Sequence, residues 1–190
     1  HGNSGDGVLY VGGNISRAST LPVQNIASWN PTNKTWHALG EGVTGTVRAL
    51  AWGAGNLFIG GNLRRAGQFS INHIARWDSA ADKYYGLGQG VNNEVLALAW
   101  FEGGDVQGGT LFAGGRFTMA GGQPAAHLAQ WNGLNWSSLG SGVKHERHTP
   151  FVRALAIGNE GDDAMLFAAG LFDSAGQHSA FNMAEFDLDD

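Results

Sequence analysis

Apolar residues along this chain gather in runs of four to seven, each bounded by Gly, Asn, Asp or Ser, and their side chains fall on both faces of an extended segment. That pattern predicts short strands covered on both sides, as in stacked sheets, and no long helices. The runs recur. Leu9-Tyr10-Val11-Gly12-Gly13 returns as Leu57-Phe58-Ile59-Gly60-Gly61, Leu111-Phe112-Ala113-Gly114-Gly115 and Leu166-Phe167-Ala168-Ala169-Gly170. The closing glycines Gly13, Gly61, Gly115 and Gly170 stand 48, 54 and 55 residues apart. Sixteen residues after each comes a large aromatic, Trp29, Trp77, Trp131 and Phe186, preceded by Asn25-Ile26-Ala27, His73-Ile74-Ala75, His127-Leu128-Ala129 and Asn182-Met183-Ala184.

Two more runs complete the unit. The third is Trp36-His37-Ala38-Leu39-Gly40, with equivalents at Tyr84–Gly88 and Trp136–Gly140, and the fourth is Val47-Arg48-Ala49-Leu50-Ala51-Trp52, with equivalents at Val95–Trp100 and Val152–Ile157. Each repeat therefore offers four short strands. A four-stranded up-and-down sheet repeated at this period, stacked face to face around an axis, is a β-propeller, whose radial closure protects the sheet edges. We expect an all-β fold of this kind, with three complete repeats over residues 9–56, 57–110 and 111–165 and half of a fourth over 166–190. Gly13, Gly61, Gly115 and Gly170 are expected to permit close backbone approach or a bulge near the crowded axis, and Trp29, Trp77, Trp131 and Phe186 to pack between blades.

At these residues the chain resembles the kelch-like repeats of fungal cell-surface polarity markers, the cortical marker family, and similar secreted bacterial propeller repeats. The shared pattern reads L-[FY]-x-G-G-x-[ILF], N-I-A-x-W-[DN], W-x-x-L-G-x-G-V and V-x-A-L-A, and it covers nearly all of residues 9–187. The resemblance implies an extracellular or cell-surface, glycosylated, non-catalytic propeller that forms part of a larger protein. Ala169 for glycine, Phe186 for tryptophan and three insertions depart from the pattern.

Composition narrows the function classes. The chain has 190 residues with 31 Gly, 7 Trp and 10 Phe, a net charge of −5 and no cysteine. The 11 Lys and Arg residues are scattered, so no basic stripe invites nucleic acid, and no apolar run is long enough to predict membrane insertion. Absence of cysteine excludes a disulfide framework and thiolate chemistry. Three sequons, at Asn14, Asn33 and Asn135, are the candidate N-glycan sites. Trp136 in the third is also a repeat anchor, which ties that sequon to the core.

Candidate chemistry is sparse. Gly40-Glu41-Gly42-Val43-Thr44-Gly45 matches G-x-G-x-x-G but joins strand to strand and recurs as Gly88-Gln89-Gly90 and Gly140-Ser141-Gly142, so it reads as a repeat turn. His145-Glu146-Arg147-His148 carries metal-ligand residue types in an insertion, at a spacing that matches no metalloenzyme motif, and reads as a solvated loop. Glu102 and Asp105, then Glu160, Asp162 and Asp163, then Asp187, Asp189 and Asp190, form acidic segments without the alternating spacing of a calcium loop. No catalytic residue, cofactor or metal is expected.

The reading that follows is an extracellular structural or interaction module of a larger glycosylated surface protein or assembly. Its partners are expected at the propeller faces and at an open edge near residues 180–190, by strand addition or self-assembly. The alternatives are a glycan-binding lectin, which would repeat an exposed aromatic pocket from blade to blade, and the propeller domain of a secreted enzyme.

Overall fold

A computed structural model describes residues 7–103, 108–160 and 163–188. Among them every regular element is a strand; the main strands form four successive antiparallel sheets, and two-residue strands add three small sheets beside them. The first sheet pairs Leu9–Gly12, Ile26–Asn30 and Thr35–Ala38 in that order. The second runs Val43–Gly53, Asn56–Ala66, Ile74–Asp78, Lys83–Gly86, and the third Val95–Phe101, Thr110–Gly115, Leu128–Trp131, Trp136–Ser138. The last pairs Phe151–Glu160, Asp163–Leu171 and Met183–Asp187.

The sheets are out of phase with the sequence repeat by one strand. Each V-x-A-L-A strand pairs with the L-[FY]-x-G-G strand of the following repeat, so the Val43–Gly53 strand belongs with residues 56–86. In the second sheet the reason is local. Ala54 and Gly55, both at positive φ (46° and 73°), make a two-residue hairpin turn of the kind that continues the twist of its flanking strands. The repeats at 9–56, 57–110, 111–165 and 166–190 thus supply two sheets with four main strands, flanked by two of three strands, and the second sheet of the four also pairs the short Phe69–Ser70 strand.

Innermost is the V-x-A-L-A strand, which corrects the expectation that the glycine pair lies nearest the axis. The Val43–Gly53, Val95–Phe101 and Phe151–Glu160 strands neighbour one another across the gaps between sheets. The glycine pair sits one strand out, where both glycines are still required for space. A Cβ on Gly12, Gly60 or Gly114 would stand 2.5 Å from Cγ1 of Val47, Val95 or Val152 in the next sheet. A Cβ on Gly61, Gly115 or Gly170 would run into the carbonyl oxygen of Thr46, Glu94 or Phe151. Those carbonyls intrude because the inner strand bulges there, between Val47 and Ala49, Val95 and Ala97, and Val152 and Ala154.

Three hydrophobic cores fill the gaps between consecutive sheets. Successive residues of one strand feed different cores: Leu57 and Ile59 face the first sheet, whereas Phe58 faces the third. Leu111 and Ala113 point back to the second sheet and Phe112 on to the last. Burying each Leu, Ile or Phe contributes about 1.5–3 kcal/mol, so it is stacking that stabilises the individual sheets. Polar ties cross the same gaps: Tyr84 Oη donates to the Leu39 carbonyl and Trp136 Nε1 to the Leu87 carbonyl, both at 2.8 Å.

Candidate functional site

The surfaces left open by this stacking are the candidate functional surfaces. The most distinctive is the outer face of the Phe151–Asp187 sheet. At the first position of its third strand, Met183 is 66% exposed, whereas the equivalent Ile26, Ile74 and Leu128 are 0%, 1% and 0% exposed. Phe181 beside it is 80% exposed. Its equivalents Gln24, Asn72 and Ala126 each use a carbonyl to accept a backbone bond from Val43, Val91 or Val143, on the segment that leads into the next sheet. Phe167, Ala180, Met183 and Phe186 line a hollow of about 590 Å³ on this face.

Of the other repeat aromatics, Trp77 is buried, while Trp29, Trp131 and Phe186 are half-buried. Each tryptophan stands in register with an aromatic of the neighbouring strand, Trp29 opposite Trp36, Trp77 opposite Tyr84 and Trp131 opposite Trp136. Gly40 and Gly88 press on the outer rims of Trp77 and Trp131 from the preceding repeat's turn. Gly13, Gly61, Gly115 and Gly170 each donate a backbone N–H to the carbonyl of the residue that opens the second segment, Asn25, His73, His127 and Asn182.

Those four residues were missed as special positions in the sequence. All have φ between 64° and 67°, a left-handed conformation in which Asn and His are enriched. The signal was present: only Asn and His occur there. Burial pushes the pKa of His73 and His127 below the ordinary value of 6.5, and their Nδ1 atoms are buried without a hydrogen-bond partner among the described residues.

The candidate glycan sites Asn14, Asn33 and Asn135 are exposed. Asn33 Oδ1 accepts from the Thr35 amide at 3.2 Å and from the Thr35 hydroxyl, so the sequon forms its own turn. Asn135 caps a turn held by Asn132 Oδ1 at 2.8 Å, with buried Trp136 directly after it.

His145 Nδ1 lies 3.3 Å from Asp173 Oδ2, and the His145 and His148 rings meet edge to face at 4.8 Å. The Glu146 amide donates to Asp173 Oδ2 at 2.8 Å, and that bond, with the nearby His145 and the Ser174 hydroxyl, holds the Asp173 carboxyl below its ordinary range. Among the described residues no three His, Cys, Asp or Glu side chains gather as a metal site. Of the acidic segments, Glu102, Asp163 and Asp187 are exposed, whereas Asp105, Asp162, Asp189, Asp190 and the Glu160 side chain lie outside the described residues. The strands on either side of Asp105 and of Asp162 pair with each other within one sheet, because the sheet begins one strand earlier than the repeat.

An exposed aromatic repeated at one position, as a lectin would carry, is absent among the described residues. Tyr85 is 39% exposed, and its equivalents are His37 and Ser137.

Stacked four-stranded antiparallel sheets with an inner V-x-A-L-A strand define a β-propeller domain. The chain belongs to the family of the Rax2 C-terminal beta propeller domain, whose model matches residues 2–151. None of the curated proteins matches it. Among solved structures it is similar to the extracellular domain assigned to a hybrid two-component system of B. thetaiotaomicron, with a TM-score of 0.50 and 16% identity over 83% of this chain and 20% of that one. A structure of that domain described as part of a one-component system matches with a TM-score of 0.48, at the same identity and coverage. At such identity the first likeness shows the fold alone, and the chain spans about a fifth of the length of the solved structures it matches.

Proposed function

We propose that this propeller is a non-catalytic contact module of a larger, glycosylated extracellular or cell-surface protein or assembly. The observation that carries this reading is Met183, bare on a face that the other sheets bury at Ile26, Ile74 and Leu128. A contiguous apolar patch rimmed by polar groups marks an interaction surface. Its occupant is a further sheet of the same design, which lays an L-G-x-G-V turn over Phe181 and a V-x-A-L-A strand over Met183. The exposed sequons and the membership in a polarity-marker propeller family support an extracellular setting.

Sedimentation of the chain alone tests the contact reading. Concentration-dependent self-association, or binding of a hydrophobic dye, that disappears in a Phe181→Ser, Met183→Ser double variant is the expected result. A monodisperse chain that binds no dye, with the double variant indistinguishable from it, would count against the reading. Intact mass after secretion from a glycosylating host tests the setting: glycan removable from Asn14 or Asn33 supports it, and an unmodified secreted chain opposes it.

A further inference from the structure

Between the second and third sheets a cleft of about 320 Å³ opens at the end of the propeller that carries the Ala54-Gly55 turn. Its walls hold three aromatic rings from different strands, Tyr85, Trp100 and Trp131. The Trp100 indole is fixed: it stacks on Phe58 at 5.2 Å and 14°, and the Gly53 backbone lies against it so closely that a Cβ there would enter the ring. Trp100 Nε1, a donor, and Asn56 Oδ1, an acceptor, are both buried without partners among the described residues.

Arg76 adds a charge. Its guanidinium carbon lies 4.7 Å from the Tyr85 ring centroid, which holds the side chain over the cleft wall. Among the described residues the ion pairs are Arg48 and Arg116 with Glu94 and His145 with Asp173, so Arg76 faces the cleft with no carboxylate partner. The equivalent positions in the other sheets are Ser28, Gln130 and Glu185, so this combination occurs in one gap alone. It is therefore not a requirement of the repeat.

We propose that this cleft binds a carboxylate-bearing pyranose, a hexuronic acid residue of an acidic glycan. Aromatic faces take the C–H face of a sugar ring, the hydroxyls bring the donors and acceptors that Asn56 and Trp100 lack, and the Arg76 fork pairs with the carboxylate in two parallel hydrogen bonds. A neutral sugar leaves Arg76 unpaired. An aliphatic acid leaves the rings uncovered. The assignment is independent of the bare end face and stands or falls separately from it.

Calorimetric titration with tri-galacturonate, and with its methyl ester as the uncharged twin, tests the assignment at low ionic strength. The acid is expected to bind saturably and the ester about tenfold more weakly, the worth of one charge-assisted pair. Arg76→Gln is expected to bring the acid down to the ester's affinity while leaving the ester unchanged. Arg153→Gln, an exposed arginine on the inner strand of the last sheet, changes neither. In nitrogen-edited spectra the Trp100 indole N–H resonance moves on saturation with the acid. Lack of binding, equal affinity for acid and ester, full affinity in Arg76→Gln, or a stationary Trp100 resonance would each overturn the assignment. Both Arg76 and Tyr85 retain solvent exposure, so Arg76→Gln is expected to fold as the parent does, with an unchanged thermal midpoint as the check.

Discussion

Tyr84 reaches across the gap between the first and second sheets to donate its phenol hydrogen to the Leu39 carbonyl, and Trp136 repeats the act one gap later with Leu87. In each case the acceptor belongs to the L-G-x-G turn of the preceding repeat and the donor to the outermost strand of the next sheet. The bond links neighbours that share no ladder hydrogen bonds. Burial pushes the Tyr84 hydroxyl well above its ordinary range, so it remains a donor at every physiological pH.

Tyr84→Phe removes the donor, fills nearly the same volume and leaves the Leu39 carbonyl to the Gly42 amide alone. It is expected to cost about 0.5–1.5 kcal/mol, read as a lowered urea midpoint with an unchanged slope. Trp136→Phe leaves the Leu87 carbonyl to the Gly90 amide alone and adds a cavity, so the larger loss is expected there.

Gly60→Ala is expected to cost about 1–3 kcal/mol, because the new methyl meets the Val95 side chain at 2.5 Å. Val95→Ala in the same chain makes room, so the double variant is expected to lose less than the sum of the two single losses. At Gly61 no side-chain change helps, since the obstacle is the Thr46 carbonyl itself. Gly61→Ala with Val95→Ala should therefore show no such recovery in the same denaturation series.

Part-buried His73 and buried His127 set an acid limit. Because burial lowers the folded pKa of His73 and His127 below 6.5, both are favoured as neutral rings, and their contribution is fully present above pH 6.5 and lost as pH falls below it. Asp173 has its pKa lowered as well, so what it contributes persists above its ordinary 3.8 and is lost on further acidification. Asn occupies the same left-handed position at Asn25 and Asn182, so His73→Asn, His127→Asn keeps the backbone conformation. Thermal midpoints measured between neutral pH and pH 5 are expected to fall in the parent and to stay nearly level in that double variant.

Leu128 and Met183 hold equivalent positions in environments that differ completely. Leu128→Ala is expected to cost about 2–5 kcal/mol, whereas Met183→Ala should stay within about 0.5 kcal/mol, as chemical denaturation of the isolated chain would show. Similar losses at the two sites would mean that the face around Met183 is covered.

Much of the candidate surface was legible at single residues. The fourth copy departs from the pattern at Ala169 and Phe186, and its Met183 replaces the Ile or Leu of the other copies; all three lie on the last sheet, whose face is bare. Asn25, His73, His127 and Asn182 announced a left-handed position by their residue types alone. The Arg76 cleft was not legible, because Arg76, Tyr85 and Trp100 come from strands of two sheets and nothing in their spacing brings them together.

The sequence by itself determined the strands, their repetition and the all-β propeller class, because alternation, turn residues and small-residue positions are local properties copied from repeat to repeat. Tertiary structure decided the phase of the sheets, the identity of the inner strand and the face left open. Those depend on which strands a two-residue turn forces to pair and on which surfaces a neighbouring sheet covers, and a periodic sequence is compatible with any choice of where one blade ends and the next begins.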